Sequence, residues 1–241
     1  MNLCGIISGL FRYPVKSMRG ESLSQGHLYW HGLDGDRRYA FVRQGVNGGF
    51  PWLTGRELPD LLRYTPRLLE PETPGQSSVV VVMPDGRESP VESPELAEAL
   101  AESYRSPFFL LNLGRGAFDS QVLSLMSNAS VAALGHSAGM GLDGARFRQN
   151  IYIETPDGRP FQEEEWLDRT IVFGAEHDGP RVRINRRISR CVMINIDPHT
   201  AERDARVLKT VAQTRDNYAG VYASVERPGA IRLGDPVSVL P

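Results

Sequence analysis

Short apolar runs of roughly four to eight residues, repeatedly cut by glycine- and proline-rich turns, constrain this chain more than any other feature. Residues 6–13 are apolar and stop at Pro14. Residues 28–30 are separated from 38–42 by a turn cluster of His31, Gly32, Asp34, Gly35 and Asp36, and Asn47-Gly-Gly makes another turn. Four consecutive valines, 79–82, are closed by Pro84-Asp-Gly86, with a partner strand expected near 87–91. Proline donates nothing to a ladder, so it marks the end of a strand or an edge. The second half continues the pattern. Residues 148–154 alternate, 170–173, 181–184, 222–225 and 237–240 read as further strands, and the apolar run 191–196 reads as a buried one. Three short helices are expected. Ser93 caps one that runs to Tyr104, with Pro94 at its first position and Glu95 in its first turn. Ser127 caps a second that ends at Gly135, and Asp197-Pro198 opens a third to about Val211. This predicts a mainly β protein with a few helices (α+β), barrel or sandwich.

The boundary falls near 113–119, giving an N-terminal module 1–115 and a C-terminal domain 116–241, with parts of both termini contributing to a shared core. There are 27 basic and 29 acidic residues, a net charge of −2, so no bulk attraction to nucleic acid or anionic membrane is expected. No apolar run reaches the ~18 residues that span a bilayer. The first residues lack the charged and apolar regions of a signal peptide. Two cysteines, Cys4 and Cys191, make no disulfide framework. A cytoplasmic protein is expected.

Cys191 follows five arginines within ten residues, Arg181, Arg183, Arg186, Arg187 and Arg190. Cationic neighbours favour the thiolate, the form that ligates metals and attacks electrophiles. The same residue at the head of an apolar run also reads as a small buried hydrophobe, and the arginines as a solvated sheet face. No zinc spacing is present, and His27, His31, His136, His177 and His199 are scattered. Lys16 is one of only two lysines; with Ser17 it offers a point charge and a hydroxyl to a phosphate, although the chain has no P-loop. Asp36-Arg-Arg38 and Thr54-Gly-Arg56 add anion-binding groups.

Taken together, Tyr13-Pro-Val-Lys-Ser17, Gly35-Asp-Arg37, Arg148-Gln-Asn150, Ser189-Arg-Cys191 with Asp197-Pro-x-Thr200, and Pro228-Gly229 with Ile231-x-x-Gly-Asp-Pro236 resemble, in this order, the MOSC-domain proteins that carry an N-terminal MOSC module. These include the mitochondrial amidoxime-reducing component and its bacterial relatives. The resemblance implies a MOSC β-barrel domain beside a smaller N-terminal β-rich module, with a molybdenum cofactor (molybdopterin) between them. It implies that Cys191 is the thiolate on molybdenum and the catalytic residue. Lys16, Ser17, Arg37, Thr54, Ser127, Arg148, Asn150 and Arg190 are the implied cofactor-binding residues. The implied reaction is a two-electron reduction of N-hydroxylated compounds, amidoximes or hydroxylamino bases, to the N–H form. Two cysteines fall short of the four that an iron–sulfur cluster needs. A separate electron donor is therefore expected, of ferredoxin, flavoprotein or cytochrome-like type. The family also contains cofactor sulfurases, so the same cysteine would serve a molybdenum cofactor sulfurase or a cofactor carrier.

Overall fold

The first strand decides how the two halves of the chain meet. In the computed structural model, which describes residues 2–46, 48–114, 122–174 and 179–240, β1 (Asn2–Arg12) turns Cys4, Ile7 and Leu10 inward. The chain continues through β2 (Glu21–Ser22), β3 (Gln25–Tyr29), β4 (Gly32–Leu33), β5 (Tyr39–Arg43), β6 (Thr65–Leu68), β7 (Val79–Val82), β8 (Glu88–Pro90), the helix α1 (Pro94–Tyr104) and β9 (Phe108–Asn112). The second half adds β10 (Leu123–Ser127), α2 (Asn128–Ala138), β11 (Ile151–Glu154), β12 (Thr170–Phe173) and β13 (Arg181–Ser189), then α3 (Arg206–Arg215), β14 (Tyr218–Arg227), β15 (Gly229–Arg232) and β16 (Pro236–Val239).

Seven strands close a barrel in the order β1, β11, β10, β14, β13, β12, β16 and back to β1. Closure leaves none of these strands with an unpaired edge. Only β10 and β11 run parallel; the other neighbours are antiparallel. Ile151, Phe173, Val182, Ile184, Val221 and Val237 fill the interior with Ile7 and Leu10. Each such side chain contributes roughly 1.5–3 kcal/mol when taken out of water. Residues 2–12 thus complete a barrel built otherwise from the second half. The intervening first-half chain forms its own core, in which Leu96 and Leu100 of α1 share one cluster with Val79 and Val81 of the β6–β7–β8 sheet, with Leu53, and with Leu61 of the 3-10 turn Pro59–Arg63. Outside the barrel, α2 and α3 cover Met126, Phe147 and Tyr152 with Leu134, Val207 and Val211.

Three local expectations need correction. Residues 191–196 are not a buried strand. Cys191 is exposed, and a 3-10 turn, Val192–Asn195, follows it, with Ile194 inside and Val192 outside. A period of about three replaces the alternation a strand would show. The helix expected from Asp197 begins only at Arg206, because the Asp197 carboxylate instead accepts the N–H groups of His199 (2.9 Å) and Thr200 (3.0 Å) and closes a turn. The helix capped by Ser127 runs past Gly135 to Ala138, and Gly139, at φ 67°, takes the left-handed cap. Strands β11 and β13 also differ from expectation: one starts at Ile151, the other extends to Ser189. The turn residue Asn47, the boundary at 115–116 and His177 lie outside the described residues.

Glu163 is fully buried against α2, where Ser130 Oγ donates to its Oε2 at 2.9 Å. Burial raises its pKa above the usual 4.5, although Ser130 and Ser127 pull the other way. The folded chain therefore binds more protons than the unfolded chain above pH 4.5. The carboxyl's contribution to stability is fully present below that pH and is lost as pH rises through the folded-state pKa. Glu163→Gln keeps an acceptor for Ser130 and removes the titration. Its melting temperature should gain on that of the wild type as pH rises from 4.5 towards neutrality. Melting curves that shift in parallel would contradict this.

Candidate functional site

A cleft of ≈ 300 Å³ opens where the first-half core meets the barrel. Its wall carries six cationic side chains, Lys16, Arg37, Arg56, Arg146, Arg148 and Arg190, and no carboxylate among the described residues. In a chain of net charge −2 this is a local concentration of positive charge, which draws anions.

The backbone at the end of β1 builds one wall. Lys16 N–H donates to Tyr39 O (2.8 Å), and the next residue, Ser17, stands at φ 66°. The Lys16 ammonium lies over the Phe50 ring at 5.8 Å. Arg37, at φ 44°, donates its N–H to Tyr13 O (2.7 Å). Its guanidinium pairs with Asp36 and donates to Asn150 Oδ1 (3.3 Å) and Arg148 O (3.3 Å). Arg148 itself sits at φ 53°. The Tyr13 ring takes both cations within cation–π range, Arg148 at 4.4 Å and Arg37 at 5.1 Å. Burial pushes the Tyr13 phenol up to about 12 against the pull of Arg148 and Arg37. It therefore stays protonated and donates to Gln149 O (3.2 Å). Ser17, Arg37 and Arg148 are thus all held left-handed, each at a cost of roughly 1–2 kcal/mol. Such conformations persist where surrounding bonds over-determine them, typically at functional sites.

The barrel supplies the other wall. Arg190, just past β13, donates Nε to Ala219 O (2.7 Å) and Nη1 to Phe147 O (2.9 Å). Its own carbonyl accepts from Asn217 Nδ2 (2.8 Å). The peptide leading into Cys191 is therefore held from both sides, while the Cys191 side chain is exposed and lines the cleft. Arg146 bonds Asn195 O (3.0 Å) and Asp197 (2.7 Å), which pins the turn after Cys191. The Thr54 hydroxyl donates to Glu57 (2.7 Å) and accepts the Arg56 N–H (3.2 Å), shaping the loop that carries Arg56.

Lys16, Ser17, Arg37, Thr54, Arg148, Arg190 and Cys191 all line this one cleft. Two expected residues do not line the cleft. Ser127 is fully buried as the N-cap of α2, accepting from Ser130 N–H (3.1 Å). Asn150 is fully buried behind the wall, where it accepts from Ser124 Oγ (3.1 Å) and Arg37 and donates to Phe11 O (3.2 Å). It orients Arg37 and does not face the cleft. Phe50, Arg146 and Tyr222 line the cleft without any local sequence signal; they meet it only through folding. The other thiol is of a different kind. Cys4 is buried, donates to Val237 O (3.2 Å), and is pushed up to about 12 by burial. Among the described residues no three His, Cys, Asp or Glu side chains converge on a metal-sized site. A transition metal held by Cys191 would have to bring most of its own ligands.

A model of the MOSC domain matches residues 114–238, and one of the MOSC N-terminal beta barrel domain matches residues 4–103. The chain belongs to the MOSC family. Over 98% of its length this MOSC protein is 26% identical to the human mitochondrial amidoxime-reducing component 1, covering 83% of that protein. Over 48% of its length it is 34% identical to a molybdenum cofactor sulfurase of Drosophila grimshawi, of which it spans only 15%. Its fold is similar to that of the YUAD protein from Bacillus subtilis, with a TM-score of 0.53 at 14% identity, covering 99% of this chain and 97% of that one. No helix among the described residues of this MOSC protein is long and apolar enough to cross a membrane.

Proposed function

We propose that this MOSC protein is a molybdenum-cofactor-dependent oxidoreductase that reduces N-hydroxylated compounds, such as amidoximes and hydroxylamino bases, to their N–H form. The observation that carries this reading is an exposed thiol, Cys191, in a cleft walled by six cations and no described carboxylate. Molybdopterin presents a phosphate and a dithiolene, and the wall fits both. Arginine forks and a lysine point charge suit the phosphate. A thiolate is a soft ligand for a metal already bound by sulfur.

When bound, the cofactor supplies the two-electron, oxygen-accepting centre. The protein's own groups do the rest. Lys16, Ser17, Arg37, Arg148 and Arg190 bind the anionic cofactor, and Thr54 shapes the loop beside it. Cys191 furnishes the protein thiolate. Tyr13, buried and protonated, locks the strand end to the Gln149 peptide so that the cations do not drift. Each turnover takes two electrons and two protons, converting N–OH to N–H plus water. The electrons come from a separate protein of ferredoxin, flavoprotein or cytochrome-like type. An exposed free cysteine suits a reducing compartment such as the cytoplasm.

The test is elemental and pterin analysis of protein purified from a host that makes the cofactor, followed by benzamidoxime reduction with a chemical donor. Near-stoichiometric molybdenum and pterin with turnover is the expected result. Loosely held cofactor together with sulfuration of another enzyme would replace this reading with a sulfurase. Tightly bound molybdenum without turnover would replace it with a carrier.

A further inference from the structure

One cation of the cleft has donors that the protein does not use. Arg56, from the Thr54-Gly-Arg56 turn, lines the cleft and is half-buried. Three of the other arginines are committed within the protein: Arg37 to Asp36, Arg146 to Asp197, and Arg190 to the Ala219 and Phe147 carbonyls. The Arg56 side chain donates only Nε, to Thr54 Oγ1 at 3.3 Å. Its Nη1 and Nη2 meet no protein acceptor among the described residues, and both keep accessible surface.

The surroundings give those donors a place and a direction along the cleft. The guanidinium lies over the Phe50 ring, 4.3 Å from its centroid. Phe50 lines the cleft too and is 42% exposed, against 6% for Lys16 and 8% for Arg37. The pair therefore stands at the open end with the exposed Cys191. Lys16 and Arg37, which the cofactor reading gives to the phosphate, stand at the closed end. A single exposed phenylalanine is ordinary on a protein surface, but this one lies in a cleft beside an uncommitted cation. The backbone fixes the pair. Arg56 N–H donates to Thr54 Oγ1 (3.2 Å), and Arg56 O accepts from Arg203 Nη2 (2.8 Å) of the second half. Gly55 leaves room for Met193, two residues after Cys191, whose Cε is 3.0 Å from the point a Cβ on Gly55 would take. The loop of Arg56 thus packs on the turn of Cys191.

We propose that Arg56 and Phe50 select N-hydroxylated substrates that carry a carboxylate on a flat body; this rests on the reductase reading above. A guanidinium takes a carboxylate through a pair of parallel N–H bonds. The Phe50 ring takes a flat body by offset or edge contact. No described carboxylate lines the cleft to repel an anion there.

The test gives the cofactor-loaded protein 4-carboxybenzamidoxime and its methyl ester, which differ in charge and little in shape. Kd is measured by calorimetry without an electron donor, and kcat/KM with a chemical donor. Each is read as the ratio of acid to ester within one protein, so that partial cofactor loss cancels. Pterin per protein is measured alongside. The wild type should favour the acid about 10–100-fold, the range for hydrogen bonds to a charged group. Arg56→Gln should bring the ratio to within about threefold of one. Arg56→Lys keeps the charge without the fork and should fall between the two; it carries the test alone should Arg56→Gln not fold. Phe50→Leu should weaken acid and ester alike, by about 2–10-fold. A wild-type ratio near one, or a wild-type preference kept in either Arg56 variant, would overturn the inference. Loss of pterin in Arg56→Gln would also overturn it, since that is the behaviour of a residue holding the cofactor. No turnover of either compound by a wild type that holds molybdenum and pterin would sink the reductase reading and this inference with it, whereas turnover without preference sinks this inference alone.

Discussion

Cys191→Ser is expected to abolish reduction of benzamidoxime and to leave the fold unchanged, while Cys4→Ser should keep the activity and lose stability. The two thiols sit in opposite surroundings. Cys191 is exposed at the head of a 3-10 turn and packs into no core, so removing its sulfur opens no cavity. Cys4 lies in the barrel core with Ile7 and Leu10 and donates to Val237 O. A hydroxyl there replaces a weakly polar sulfur in an apolar setting. Loss of an outer partner of a metal ligand typically costs about 10–100-fold in affinity or activity, and loss of the ligand itself should exceed that. Activity and molybdenum content, read beside thermal melts, distinguish the cases. Equal activity in the two variants would overturn the assignment of Cys191.

Gly220→Ala should cost about 3 kcal/mol of stability, combining roughly 1–2 for a left-handed alanine with roughly 1–3 for overpacking. The added Cβ would meet Gln149 Nε2 at 2.7 Å, Leu125 O at 2.9 Å and Arg190 Nη2 at 3.2 Å. The side-chain ends can shift, but Leu125 O belongs to a barrel strand. The strain is therefore relieved into the cleft, and cofactor retention should fall with the melting temperature. Gly139→Ala is the control. It has a similar φ of 67° with open space around it, so it isolates the backbone cost at about 1–2 kcal/mol. For a chain of this size each kcal/mol is worth roughly 2–4 °C. Equal shifts in the two variants would show that the close approach at Gly220 is relieved without cost.

Local rules carried some elements well. The Ser93–Pro94–Glu95 start of α1 is a short-range signal, and it holds because Ser93 Oγ accepts Leu96 N–H within the same turn (3.3 Å). The valine run 79–82 and its proline turn behave likewise, since a hairpin is closed by its own residues. The run at 191–196 misled because an apolar stretch without alternation does not say whether a strand or a turn will bury it. Asp197 misled because the same carboxylate can cap a helix or close a turn on its own next residues. Motif position alone placed Asn150 and Ser127 in the site. Neither spacing nor composition says which side of a wall a side chain faces.

What the amino-acid order determined by itself was a mainly β chain with short strands, helices with identifiable caps, and a family-like set of cations ahead of a single late cysteine. Those are outcomes of neighbours within a few residues, or of motifs kept in order. Only the tertiary structure decided that β1 closes a barrel with strands from the far end of the chain, and that Lys16 and Cys191 line one cleft. It alone decided that Asn150 stands behind Arg37. Barrel closure and cation–π packing join residues more than a hundred positions apart, and such contacts exist only once the whole core has been buried.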